Sequence, residues 1–151
     1  NMLQPVIEET IFLDLFAGSG AMGFEALSRG ATKVVFIDHS FACAQMIRKN
    51  ATHLNVLESI FIIQKKAAKA LVQVVDQFDV IYIDPPYSMV NYDQEIMQLF
   101  TLLYDRSLLK ASGTIFLELD TKTTLSPNVA PQFSKQEKKY GNTKLLVLQL
   151  P

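Results

Sequence analysis

The feature that most constrains this chain is a passage from an apolar run over residues 11–16, broken only by Asp14, through Ala17-Gly18-Ser19-Gly20 into a helical stretch over 21–28 that Gly30 stops. Strand, glycine loop and helix follow in that order, and the alternation continues. Residues 33–37 form a second β-branched and aromatic run ending at Asp38. Ser40 is placed to cap a helix that carries Cys43, Met46, Ile47 and Leu54 on one face. A third strand is expected over 60–63, a helix over 67–75 and a fourth strand over 78–83. Ile96, Leu99, Phe100 and Leu103 have the i, i+3, i+4, i+7 spacing of an amphipathic helix. A fifth strand over 113–119 is followed by two more, over 133–140 and 144–150, joined by the turn pair Gly141-Asn142. Apolar strands alternating with helices imply an α/β fold, a mostly parallel sheet covered on both faces, with an antiparallel hairpin at one edge. In such sheets ligands bind beyond the carboxyl ends of the strands. That directs attention to Asp14 through Gly20, Asp38, the loop after Ile63, and Asp84 through Tyr87.

The 151 residues fit a single domain with a core large enough to fold without disulfides or structural metal. Cys43 is the only cysteine, which leaves no internal disulfide and no thiolate zinc cluster, and a reducing cytoplasm is the expected location. No apolar run approaches the roughly twenty residues of a membrane span. The formal net charge of −1 lacks the basic character common among nucleic-acid binders. Leu3 and Val6 read like the end of an earlier element, so an N-terminal piece is expected to precede Asn1.

Gly18-Ser19-Gly20-Ala21-Met22-Gly23 is a formal G-x-G-x-x-G with an acid, Asp38, about twenty residues on, a pattern that equally suits a nicotinamide or flavin dinucleotide. The glycines let a ligand approach the backbone, and Asp38 can accept hydrogen bonds from a ribose diol. Asp14 tilts the choice. An anion beside the loop repels a pyrophosphate but suits the amino group and sulfonium of S-adenosylmethionine. The bland alternatives for both acids are loop capping and surface charge.

Asp84-Pro85-Pro86-Tyr87 lies where the fourth strand leaves the sheet. An exocyclic base amine is a poor nucleophile, because its lone pair is delocalised into the ring, so it must be held in line and its hydrogen bonds accepted. Asp84 and the carbonyl of Pro85 supply acceptors, the prolines keep the segment extended and stiff, and Tyr87 offers a flat face for stacking. Alternatively Pro-Pro merely ends a strand and Tyr87 caps the core.

The block Asp14-Leu15-Phe16-Ala17-Gly18-Ser19-Gly20-Ala21-Met22-Gly23-Phe24-Glu25-Ala26-Leu27-Ser28-Arg29-Gly30-Ala31, together with Asp84-Pro85-Pro86-Tyr87, closely resembles the bacterial 16S ribosomal RNA (guanine-N2)-methyltransferase family. The resemblance implies a Rossmann-like class I methyltransferase fold with a seven-stranded sheet in the order 3-2-1-4-5-7-6. It implies S-adenosylmethionine as cofactor, held by Asp14, Phe16, Ala17, Gly18, Gly20 and Asp38, and a target base held by Asp84, Pro85, Pro86 and Tyr87. The implied partner is 16S ribosomal RNA or an assembling small ribosomal subunit, approached by a monomer without a metal or a membrane. Two departures stand out. Relatives often place an acid or amide after strand three for the adenine amine, whereas Gln64-Lys65-Lys66-Ala67-Ala68 has none in the usual place, which leaves adenine recognition to backbone groups. The family also carries a basic N-terminal extension, which is expected to belong to the piece that precedes Asn1.

The competing functions are methylation of DNA adenine or another amine, a nicotinamide-dependent oxidoreductase, and a donor-binding module without catalysis. The long glycine-loop block argues against the first, and no Ser with Tyr-x-x-x-Lys or well-placed His serves the second. His39 and His53 have neither metal-pair nor triad spacing and read as structural. Lys65, Lys66 and Lys69, like Lys135, Lys138 and Lys139, read first as solvated faces, with phosphate contact as the alternative. Cys43 is expected in the core, and Glu118, ending strand five, can either line the cleft or stand outside it.

Overall fold

Successive side chains of a strand point to opposite faces, so a run that is apolar at every position needs cover on both sides. The structure, a computed structural model, describes residues 8–86, 88, 89 and 91–151 and shows that cover. Strands β1 (Ile11–Leu15), β2 (Lys33–Ile37), β3 (Ile60–Ile63), β4 (Phe78–Ile83), β5 (Leu109–Asp120), β6 (Ser134–Tyr140) and β7 (Thr143–Gln149) form one sheet. Its order is β3-β2-β1-β4-β5-β7-β6, the order that the resemblance implies. The first five strands pair in parallel; β7 runs antiparallel to β5, and β6 antiparallel to β7.

The helices are α1 (Ala21–Ser28), α2 (Phe41–His53), α3 (Ala67–Gln73) and α4 (Tyr92–Asp105). Leu13, Leu15, Val35, Ile37, Ile81 and Ile83 pack on one face against Ala70 and Leu71 of α3 and Ile96, Leu99, Phe100 and Leu103 of α4. Phe12, Val34, Phe36, Val80 and Tyr82 pack on the other against Ala26 of α1 and Ile47 of α2. The chain leaves β1 for β2 and β3 on one side and returns to β4 and β5 on the other. The carboxyl ends of β1 and β4 therefore flank the switch point, where a crevice opens.

Three sequence expectations need correction. On α2 the buried stripe is Ala44, Ile47 and Ala51, while Met46 and Leu54 are exposed and Cys43 is only half-buried. Small alanines let the helix sit close to the sheet, and that proximity outweighs the larger apolar side chains. The third helix stops at Gln73 because Val74 turns extended (φ −68°, ψ 132°) and buries its side chain. The fifth strand begins at Leu109, not at Gly113. The step from Phe78 to Val80 on β4 is matched by Leu109 to Thr114 on β5, an irregularity that sequence periodicity does not reveal. Gly113 lies in it, where a Cβ would stand 3.0 Å from the Asp79 carbonyl oxygen and 2.6 Å from Leu109 Cδ1.

Candidate active site

The loop after β1 is built by backbone conformations that favour glycine. Phe16, Gly18 and Gly20 have φ of 63°, 57° and 82°. The Ala17 N–H donates to the Ile37 carbonyl at 2.9 Å, and the Gly20 N–H to the Ala17 carbonyl at 2.8 Å. The glycines serve different ends. A Cβ on Gly18 would meet nothing within 4 Å, so the backbone there is open to a ligand. A Cβ on Gly23 would stand 2.2 Å from a Phe36 ring atom, so that glycine lets α1 lie against β2.

Asp38 leaves β2 and ties this loop to the next. Its Oδ2 accepts from the Gly18 N–H and its Oδ1 from the Ser40 N–H, both at 2.9 Å. A carboxylate has about four lone-pair sites, so acceptor capacity remains for a diol. His39 is largely exposed, with Nδ1 3.9 Å from the Asp38 carboxylate.

Asp14 lies beneath the loop, only 2% exposed, and its Oδ2 accepts the Gly23 N–H at 3.0 Å. Because Gly20, the residue before α1, offers no side chain, Asp14 satisfies a first-turn amide of α1 from the neighbouring strand. Burial pushes its carboxyl up to about 8, the Gly23 bond opposes this, and the charges of Asp84 and Asp38 add to it. At neutral pH such a group is largely protonated, so Asp14 adds little negative charge beneath the loop.

Asp84 continues β4, its N–H donating to the Leu15 carbonyl at 3.4 Å. Pro85 is buried, Pro86 is exposed and accepts the Met89 N–H at 3.1 Å, and Tyr87 lies outside the described residues. Loss of solvent around the Asp84 carboxyl, followed by the charge of Glu118, pushes it up to about 6. Glu118 follows Leu117, the partner of Ile83, and so stands beside Asp84 on β5. The Tyr82 hydroxyl donates to Glu118 Oε2. Burial raises the phenol well above its ordinary value, with the Glu118 bond and charge next and the charges of Asp84 and Asp14 after them.

Phe16, Asp38 and Pro86 line one cavity of about 490 Å³, with Ile37, His39, Lys65, Lys66, Ala67, Ala68, Lys69, Met89, Glu95, Gln98 and Leu99. That volume lies in the range of small-molecule sites. Ala17, Gly18 and Gly20 form the adjoining loop, while Asp14 is turned inward. Lys65, Lys66 and Lys69 are exposed as expected and also line the cavity, whereas Lys135, Lys138 and Lys139 lie on the exposed edge strand β6. Sequence reasoning missed Glu95 and Gln98. Their signal was position: they flank the apolar stripe of α4 one helical turn apart. Among the described residues no cluster of three metal-ligating side chains occurs, and no helix is long and apolar enough to cross a membrane.

The family model described as "Conserved hypothetical protein 95" matches residues 1–149. The chain belongs to this family. The YlbH protein of Bacillus subtilis is 32% identical over 146 residues, covering 95% of this chain and 77% of that protein. The Ribosomal RNA small subunit methyltransferase D of Haemophilus influenzae is 37% identical over 123 residues, covering 80% of this chain but 62% of that protein. The solved structure of yhhF from Escherichia coli superposes with a TM-score of 0.85 at 30% identity, covering 99% of this chain and 82% of that one. With the strand order, these likenesses make the fold a Rossmann-like class I methyltransferase fold, and methyltransferase relatives on that fold imply use of S-adenosylmethionine.

Proposed function

We propose that this chain is a single S-adenosylmethionine-dependent methyltransferase domain, acting as a cytoplasmic monomer, that methylates the 2-amino group of a guanine in 16S ribosomal RNA. The observation that carries the reading is the meeting of two motifs at the switch point. Asp84-Pro85-Pro86 leaves β4 beside the glycine loop of β1, and Pro86 lines the same cavity as Phe16 and Asp38. The name of the Haemophilus relative supports a ribosomal RNA acceptor, and the resemblance of the glycine-loop block supports guanine.

The residues present fit the donor. Gly18 leaves its backbone open on the ligand side, Asp38 retains acceptor capacity for a ribose, and Phe16, Ala67, Met89 and Leu99 supply apolar lining for an adenine ring. The β3 side of the cavity carries Lys65, Lys66 and Lys69, which donate only, so any acceptor for the adenine amine there is backbone. Bound here, the donor supplies a methyl group activated by its sulfonium. Asp84 and the Pro85 carbonyl accept the hydrogens of the guanine amine and orient its nitrogen. The two prolines hold those acceptors at fixed φ, so little ordering remains when substrate binds. Tyr87 is assigned the stacking face for the base.

Transfer of labelled methyl from S-adenosylmethionine, offered in parallel to unmodified small ribosomal subunits, protein-free ribosomal RNA and DNA, tests the reading. Label in one guanine of the 16S RNA is expected. Label only in DNA adenine would replace the acceptor, and none anywhere despite donor binding would leave a binding module.

A further inference from the structure

The sheet brings two acids together that are far apart in the sequence and that the base-holding motif alone does not explain. Asp84 and Glu118 continue the register that pairs Tyr82 with Phe116 and Ile83 with Leu117, which puts their side chains on the same face of adjacent strands. Parallel strands lie about 4.8 Å apart, so the two carboxylates are neighbours. Glu118 has one oxygen fixed. Its Oε2 takes the hydroxyl of buried Tyr82, while its Oε1 accepts no hydrogen bond among the described residues. Neither oxygen of Asp84 accepts one there. Holding a tyrosine hydroxyl does not require a charge, since glutamine would serve. A second carboxylate beside Asp84 costs repulsion, and that cost calls for something in return.

The Watson–Crick edge of guanine supplies it. N1–H and the 2-amino group are adjacent and both donate, and a carboxylate only accepts. A purine with a bare N1 presents a lone pair there instead. We propose that Glu118 is a specificity-determining residue, accepting the N1–H of the target guanine through Oε1 while Asp84 takes the 2-amino group. The inference rests on the guanine-amine reading above. The tyrosine fixes the rotamer, so the free oxygen is presented in one place rather than sampled among several. Lys138 of β6 shares the cross-strand row of Glu118 but stands beyond Leu145, and among the described residues no ion pair engages Glu118.

The test uses small-subunit RNA with the methylated guanine either intact or replaced by 2-aminopurine, which keeps the 2-amino group but has no hydrogen on N1. Wild-type protein is expected to favour guanine in kcat/KM by about 10- to 100-fold, the loss of one charge-assisted hydrogen bond. Glu118→Gln can turn either its carbonyl or its amide toward N1, so its preference should fall to within about threefold, with donor affinity unchanged. A variant that binds donor normally and keeps the wild-type preference overturns the proposal. If Glu118→Gln does not fold, Tyr82→Phe replaces it: the carboxylate remains but loses its anchor, and an undiminished preference is again refuting. Wild-type protein that methylates neither RNA overturns the methyltransferase reading, and this inference with it.

Discussion

Asp14→Asn isolates the cost of placing an ionisable group under the glycine loop. The side chains are nearly the same size, and the asparagine carbonyl can still accept the Gly23 N–H that Asp14 takes at 3.0 Å. What disappears is the titration. In the folded protein the Asp14 carboxyl is pushed from 3.8 to about 8, chiefly by burial. At about 1.4 kcal/mol per pH unit, ionising it in place has a ceiling of roughly 6 kcal/mol. Relaxation and water penetration bring the expected effect to about 2–4 kcal/mol. The folded state holds this proton where the unfolded chain has lost it, so the Asp14 contribution to stability is full below about pH 4 and falls as pH rises toward about 8. Urea unfolding of both proteins at pH 4.5, 6.5 and 8 reads the difference directly, because the other acids cancel. The asparagine variant should gain on the wild type at each step, by about 2–4 kcal/mol between the extremes. A difference that stays constant with pH would refute the account of Asp14 as a buried, largely protonated acid.

Three further outcomes follow from the same geometry. Gly23→Ala places a methyl group 2.2 Å from a Phe36 ring atom; it should cost about 2–3 kcal/mol in urea unfolding, and Phe36→Leu in the same chain should recover part of it. Asp38→Ala leaves the Gly18 and Ser40 amides without their acceptor. Calorimetric titration should then show S-adenosylmethionine affinity reduced about tenfold, with about 1–2 kcal/mol of stability lost. Methyl transfer should decline on the acid side with a midpoint close to 6, since protonated Asp84 no longer offers two acceptors. Asp84→Asn should lose that acid limb and Asp84→Ala most of the activity, both with donor binding intact.

The local pieces of this protein are written in its sequence. Apolar runs short enough for strands, a helical period in α4, and glycines where φ turns positive are near-neighbour properties. They fixed the alternation, the parallel sheet, the closing hairpin and the two motifs at strand ends. Topology then confined those motifs to one crevice. The tertiary structure decided what each side chain does there. Asp14 is as acidic in sequence as Asp38, yet it turns inward to serve α1 while Asp38 faces the cavity, because Asp14 still lies within β1 beneath α1 whereas Asp38 lies past the end of β2, in the loop that meets Gly18. Glu118 meets Tyr82 across 36 residues, and Glu95 and Gln98 reach the cavity only because α4 packs over the same end of the sheet as α3. The buried face of α2 went to its alanines, since close approach to the sheet is a property of two surfaces together. Periodicity specifies which elements form; burial, partners and the ionisation of a carboxyl depend on groups that only the packed sheet makes neighbours.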